Sequence, residues 1–91
     1  MIAVHVRVSG RVQGVFYRAF TKDRAKGLGI KGWVRNLPGG GVEAVLEGER
    51  QKVGELLKFM KSGPSGSMVL GMELSELECR GYQDFEIRYQ Y

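Results

Sequence analysis

The sequence predicts an α+β domain spanning residues 1–91, with strands and helices in the order β-α-β-β-α-β. Some segments alternate apolar and polar residues, two others repeat apolar residues with helical spacing, and glycine-rich breaks separate them. This order is typical of the split β-α-β, or ferredoxin-like, arrangement. We therefore expect an antiparallel sheet with two helices on one face, and no second domain in 91 residues.

The first three strands are predicted from alternation and from hairpin signals. Residues 2–9 form the first strand, because apolar residues occupy four alternate positions: Ile2, Val4, Val6 and Val8. Residues 30–37 and 42–48 are rich in β-forming residues and flank Pro38 and three glycines. This pattern predicts a hairpin with residues 39–41 at its tip.

The two helices are predicted from a period of about 3.6 residues. The first begins near residue 17 and is ended by Gly27 and Gly29, and the residues on one of its sides are Phe20, Thr21, Arg24, Ala25 and Leu28. The second covers residues 49–61, and its apolar positions are Val53, Leu56, Leu57 and Met60. Both helices therefore have one face suited to a core.

Two more extended segments follow the second helix. Residues 68–77 come after the break "SGPSGS" and place three apolar residues on one face: Leu70, Met72 and Leu74. Residues 84–91 form the last strand, with bulky residues at alternate positions: Phe85, Ile87, Tyr89 and Tyr91. Because an exposed last strand could pair with a second chain, we expect a monomer or a weak dimer.

Charge and composition limit the classes of function. A net charge of +4 suggests an anionic partner, although a solvated excess of lysine explains it equally well. No long apolar run or leader pattern occurs, so we expect a cytoplasmic protein without a membrane partner. A single cysteine, Cys79, and a single histidine, His5, provide no disulfide and no cluster of metal ligands. We expect neither a metal nor another cofactor.

The stretch "GRVQGVFYR", residues 10–18, carries the strongest functional signal, because it joins a strand to a helix through a loop. Backbone N–H groups of such a loop can converge on an oxyanion at the helix N-terminus. The candidate phosphate-binding residues are Gln13, Gly14, Val15, Phe16, Tyr17 and Arg18. A cation at Arg18 opposes the helix dipole, so it requires either a bound anion or an ion pair with Asp23 or a glutamate.

Other glycine patterns do not predict a nucleotide site. A G-x-G-x-x-G pattern at Gly27, Gly29 and Gly32 follows a helix and opens a strand, the reverse of the dinucleotide-binding context. No G-x-x-x-x-G-K-[ST] sequence occurs. These observations exclude the two common glycine-rich nucleotide motifs.

Two long segments resemble the signature motifs of the acylphosphatases: "VSGRVQGVFYR", residues 8–18, and "GWVRNLPGGGVEAVLEG", residues 32–48. The matching positions are Gly10, Val12, Gln13, Gly14, Val15, Arg18, Gly32, Trp33, Val34, Asn36, Gly40, Val42 and Gly48. The departures lie at Gly39, at Gly41 and in residues 63–67, outside the positions expected to carry chemistry.

The resemblance implies hydrolysis of an acyl phosphate to a carboxylate and inorganic phosphate, without a metal ion. It places Arg18 on the phosphoryl oxygens and gives Asn36 the role of orienting the attacking water. A carboxylate leaving group needs no proton, so no general acid is required. Phosphate or sulfate is expected to bind as a product-like anion. Without the motif, Asn36 would be interpreted as a turn residue bonded to backbone.

Two binding functions remain as alternatives to catalysis. RNA-recognition domains share the topology, and "KGWV", residues 31–34, is faintly similar to the start of their aromatic motif, but the later aromatic residues are missing. We therefore expect no nucleic-acid partner and interpret Trp33 as a packing residue. A module that binds small anions without chemistry is the other alternative, and it does not require an amide at Asn36.

Overall fold

The computed structural model describes residues 1–89. Seven elements follow in chain order: β1 (Ile2–Arg11), α1 (Tyr17–Gly27), β2 (Lys31–Asn36), β3 (Val42–Gly48), α2 (Arg50–Ser62), β4 (Met68–Leu77) and β5 (Phe85–Arg88). Every predicted helix and strand is present, with ends shifted by a few residues. Gln90 and Tyr91, which we predicted as strand, lie outside the described residues.

The five strands form one sheet in the order β4-β1-β3-β2-β5. α1 packs over β2 and β5, α2 packs over β3 and β4, and the helices contact each other, so both cover the same face. The predicted ferredoxin-like fold is confirmed. The sheet is mixed, however, and not purely antiparallel, because β5 pairs in parallel with β2.

The parallel pair arises from the path of the chain between β4 and β5, which lie at opposite edges of the sheet. The connecting residues cross the face that the helices leave open, and the buried carboxylate of Glu47 holds them there. It accepts backbone N–H bonds from Arg80, Gly81 and Tyr82 at 2.6, 2.9 and 3.1 Å. Three backbone N–H groups of consecutive residues thus bind one buried side chain, so Glu47 fixes the crossing that delivers β5 beside β2.

The core lies between the sheet and the helices. Its fully buried members from β1 and the two helices are Val6, Val8, Tyr17, Ala25, Val53, Leu56 and Met60. Arg24, which we predicted on the inner side of α1, is exposed. Its guanidinium lies 4.5 Å from the ring centroid of Phe59, so the cation covers an aromatic surface instead of entering the core.

The predicted face of β4 is wrong at one position. The pairing between β1 and β4 shifts after Ser9, because Ser9 lies opposite Gly71 and Gly10 lies opposite Val69. Leu70 is therefore the extra residue of a bulge and is 75% exposed. Val69 takes the core-facing place that alternation assigned to Leu70.

Two glycine substitutions are expected to change stability in opposite directions. Gly54 lies inside α2 with open space where a Cβ would be, so Gly54→Ala should stabilise the fold by about 0.5–1 kcal/mol.

Gly32 has a φ of 134°, and its Cβ would collide with the carbonyl oxygen of Val45. Gly32→Ala should therefore destabilise the fold by more than about 1 kcal/mol. Urea denaturation measures the change in the free energy of unfolding for both variants. A destabilised Gly54→Ala variant would contradict the packing of α2.

Candidate active site

The loop between β1 and α1 turns sharply at two residues with left-handed backbone. Gly14 has a φ of 74°, and Phe16, at the N-cap of α1, has a φ of 62° and a ψ of 23°. Phe16 is the only non-glycine residue with positive φ in the part of the chain that the structure describes. Bulky side chains rarely adopt this conformation, so the loop keeps an unfavourable geometry at Phe16.

The loop leads into a helix N-terminus whose first N–H groups have no partner within the helix. The N–H of Phe20 donates to the carbonyl of Phe16 at 3.0 Å and begins the α1 ladder. The preceding N–H groups, from Tyr17 to Ala19, therefore remain available. The first turn of α1 contains no acidic residue. The local charge is positive and suits an anion.

Arg18 adds a full positive charge to this helix end. Its guanidinium lies 5.0 Å from the ring centroid of Tyr89, which follows β5. No carboxylate within residues 1–89 forms a salt bridge with Arg18. The alternative of an ion pair with Asp23 or a glutamate therefore does not hold for this part of the chain. The structure instead places the guanidinium at a cleft.

The cleft lies between the loop, the start of α1 and the end of β5, and its volume is about 330 Å³. Its lining residues are Val12, Gly14, Phe16, Tyr17, Arg18, Ala19, Ile87 and Tyr89. Four of the six predicted phosphate-binding residues are thus at the cleft, while Gln13 and Val15 are not in its lining. Tyr89 and Ile87 were not predicted as site residues, because their approach depends on where β5 joins the sheet.

Gln13 connects the loop to the β2–β3 hairpin through its side chain. Its amide Nε2 donates to the carbonyls of Leu37 at 2.9 Å and Gly41 at 2.7 Å. Gly41 has a φ of 85°, and a Cβ there would lie 2.8 Å from the carbonyl oxygen of Val8. The sequence suggested only the backbone N–H of Gln13 as functional, whereas its side chain holds the loop against the residue that follows Asn36.

Asn36 ends β2 on the face that carries the helices, because it lies opposite the core residue Val42. Two residues earlier, Val34 lies beside Ile87 of the cleft. Asn36 is not in the cleft lining itself. Its Oδ1 atom is buried and has no hydrogen-bond partner in residues 1–89. Leaving a buried acceptor unpaired costs about 1–3 kcal/mol of stability. A water or a ligand that donates a hydrogen bond to this oxygen would remove that cost.

Comparisons with known proteins identify the family to which this loop and this fold belong. A family model described as Acylphosphatase matches residues 4–87. The chain belongs to the acylphosphatase family. The family and the enzyme class that we predicted from the two motifs are therefore confirmed.

Individual acylphosphatases match over almost the full length of both chains. The acylphosphatase of Methanothrix thermoacetophila is 72% identical over 88 residues, covering 97% of this chain and 98% of the relative. The acylphosphatase of Methanocella arvoryzae is 50% identical over 88 residues, covering 97% of this chain and 100% of the relative. The crystal structure of acylphosphatase from Bacillus subtilis superposes with a TM-score of 0.95 at 32% identity, covering 98% of this chain and 100% of that one.

Tyr17 and Phe16 have opposite environments in this acylphosphatase. Tyr17 is buried, and its hydroxyl donates to the carbonyl of Met60 at 2.6 Å, which joins α1 to α2. Burial raises the pKa of Tyr17, so the phenol stays protonated as a donor. The side chain of Phe16, by contrast, is 86% exposed.

The open face of the sheet carries a separate group of charges. His5 Nε2 lies 2.8 Å from Glu43 Oε2, and Arg35 also binds this carboxylate. Burial opposes ionisation of Glu43, but the hydrogen bonds from His5 and Arg35 outweigh it and lower its pKa. The guanidinium groups of Arg35 and Arg88 lie 5.0 and 4.8 Å from the ring centroid of Trp33, which is only 8% exposed. It is therefore a packing residue and presents no free ring for stacking a base.

The described residues show neither a cluster of metal ligands nor a membrane-spanning helix. Residues 1–89 contain no group of three or more histidine, cysteine, aspartate or glutamate side chains placed to hold a metal ion. Among the helices that the structure describes, none is both long and apolar enough to cross a membrane.

Proposed function

We propose that this chain hydrolyses acyl phosphates by direct attack of water on the phosphoryl group, with Arg18 and the loop of residues 13–18 binding that group and Asn36 orienting the water. The observation that carries the proposal is the buried, unpartnered Oδ1 of Asn36 on the helix-covered face, close in the fold to an anion-binding loop. A site that only captured an anion would have no use for such an acceptor.

The loop and Arg18 are suited to a group with several negative oxygens. The free N–H groups at the start of α1 can each donate to one phosphoryl oxygen, and the planar fork of Arg18 can bind two together. The cation–π contact with Tyr89 limits the orientations of the guanidinium before substrate arrives. Binding of the phosphoryl group would also compensate the unfavourable position of a cation at the helix N-terminus.

Asn36 and Gln13 have complementary roles in this proposal. The Oδ1 of Asn36 accepts a hydrogen bond from the water, and its NH₂ group supports a phosphoryl oxygen. Gln13 acts as a positioning residue, because its side chain holds the loop to the hairpin beside Asn36. Correct placement of water in line with the breaking bond can supply a large part of the rate enhancement.

The reaction needs no acid from the protein. Water forms a bond to phosphorus, the bond from phosphorus to the acyl oxygen breaks, and its electron pair leaves with the carboxylate. The proton released by water passes to a phosphoryl oxygen. The described residues that line the cleft include neither a histidine nor a carboxylate, which is consistent with this route.

The same loop should also bind product-like anions. Inorganic phosphate and sulfate should bind the loop as competitive inhibitors, because they present the same tetrahedral oxygens as the transferred group. We further propose that the enzyme works in the cytoplasm as a monomer or a weak dimer, with its exposed Cys79 reduced.

The direct test is hydrolysis of benzoyl phosphate by the wild-type chain in the presence of a chelator, with inorganic phosphate as inhibitor. We expect turnover that the chelator does not reduce and competitive inhibition by phosphate. Phosphate binding without turnover would contradict catalysis and favour the small-anion module. Loss of turnover on chelation would contradict the metal-independent mechanism.

A further inference from the structure

Phe16 is unfavourable in two respects that phosphate binding does not explain. Its backbone is left-handed, and its aromatic side chain is 86% exposed. At every other described position with a positive φ, the residue is glycine. Glycine at residue 16 would give the loop the same backbone without strain and without exposed apolar surface. The backbone conformation therefore does not explain why residue 16 carries an exposed aromatic ring.

The cleft beside Phe16 extends beyond a phosphoryl site. Its volume is about 330 Å³, and its walls include Val12 and Phe16 from the loop side and Ile87 and Tyr89 from the β5 side. Arg18 also lines the cleft, with its guanidinium over the Tyr89 ring. A substrate whose phosphoryl group binds Arg18 can place its acyl carbons in the remaining space, next to apolar and aromatic side chains.

We infer that Phe16, Ile87 and Tyr89 form a subsite for the acyl group, and that it favours acyl phosphates with a bulky apolar or aromatic acyl group. The inference rests on the proposed function, because the phosphoryl position fixes where the acyl group lies. Contact with such a group removes apolar surface of Phe16 from water, which compensates its exposure in the free enzyme. A short acyl group leaves the Phe16 ring uncovered, and a charged one loses hydration against it.

The test compares benzoyl phosphate with acetyl phosphate in the wild type, Phe16→Asn and Phe16→Leu. Asparagine tolerates a left-handed backbone but offers no apolar ring, whereas leucine keeps apolar area. The ratio of kcat/KM for benzoyl phosphate to that for acetyl phosphate should fall by about 10-fold or more in Phe16→Asn, the scale of a lost apolar contact in a substrate pocket. Phe16→Leu should lie between Phe16→Asn and the wild type. Comparing ratios cancels the different intrinsic reactivities of the two substrates.

The control and the inhibition constant of phosphate separate the possible outcomes. Phe59→Ala removes an aromatic ring of α2 that does not line the cleft, and it should keep the wild-type ratio. If Phe16→Asn weakens phosphate and slows both substrates equally, the loop has been disturbed and no acyl subsite exists. An unchanged ratio in Phe16→Asn with unchanged phosphate inhibition also overturns the inference. If the wild type hydrolyses neither substrate, the proposed function itself fails.

Discussion

Replacing Arg18 with alanine is expected to lower kcat/KM for benzoyl phosphate by at least about 10²-fold, the usual scale for losing one preorganised charged donor. The guanidinium is proposed to bind two phosphoryl oxygens, so inhibition by inorganic phosphate should weaken as well. Arg18→Lys should recover only part of the activity, because an ammonium group keeps the charge but lacks the planar fork. Steady-state kinetics of the two variants measure these effects.

The fold should tolerate this substitution, which makes the kinetic result interpretable. Removing a cation from the first turn of α1 relieves its repulsion with the helix dipole, worth about 0.3–1 kcal/mol, and loses a contact with Tyr89 of similar size. Thermal stability should therefore change little. Arg24→Ala is the matched control, since this arginine lies on the same helix and stacks on Phe20 and Phe59 outside the cleft. Equal activity losses in the Arg18 and Arg24 variants would contradict the role of Arg18.

Replacing Asn36 with leucine should lower kcat by at least about 10²-fold while changing phosphate inhibition far less. Leucine matches the shape of asparagine but can neither accept a hydrogen bond from water nor donate one to the phosphoryl group. The Oδ1 atom has no intramolecular partner within residues 1–89, so its removal leaves no protein donor unpaired. The folded state should be at least as stable as that of the wild type.

The separation of kcat from phosphate affinity distinguishes catalysis from scaffolding at Asn36. Gln13→Ala is the comparison, because it removes the bonds that hold the loop to Leu37 and Gly41. We expect it to weaken phosphate binding and turnover together. If Asn36→Leu weakened phosphate inhibition as strongly as it lowered kcat, as expected for Gln13→Ala, Asn36 would support the loop and would not orient the water.

Local patterns of apolar and polar residues predicted the helices and strands, because most of these elements depend on residues that are close together in sequence. The alternation of β1 and the helical period of α2 are complete within a few residues. The bulge at Leu70 was missed because one extra residue reverses the inside-outside alternation without altering composition. The parallel pairing of β5 was missed because it depends on the crossing held by Glu47, which is more than thirty residues away in sequence.

The sequence suggested candidate residues for the site but not the contacts that support them. Arg18 and Asn36 were predicted from motif spacing and stay predictions, and both lie on the helix-covered side of the molecule. The side-chain bonds of Gln13 and the contact between Arg18 and Tyr89 could not be predicted, because they depend on how distant segments approach. The exposure of Phe16 could not be predicted either, since it accompanies a left-handed backbone that the sequence does not reveal.

The position of bond cleavage shows whether water attacks phosphorus or the acyl carbon. Benzoyl phosphate should be hydrolysed by the wild-type enzyme in isotopically labelled water, with mass spectrometry of both products. Attack of the oriented water on phosphorus predicts that the labelled oxygen appears in inorganic phosphate and not in benzoate. Label in benzoate would mean that water attacks the acyl carbon, and it would contradict the roles assigned to Arg18 and Asn36.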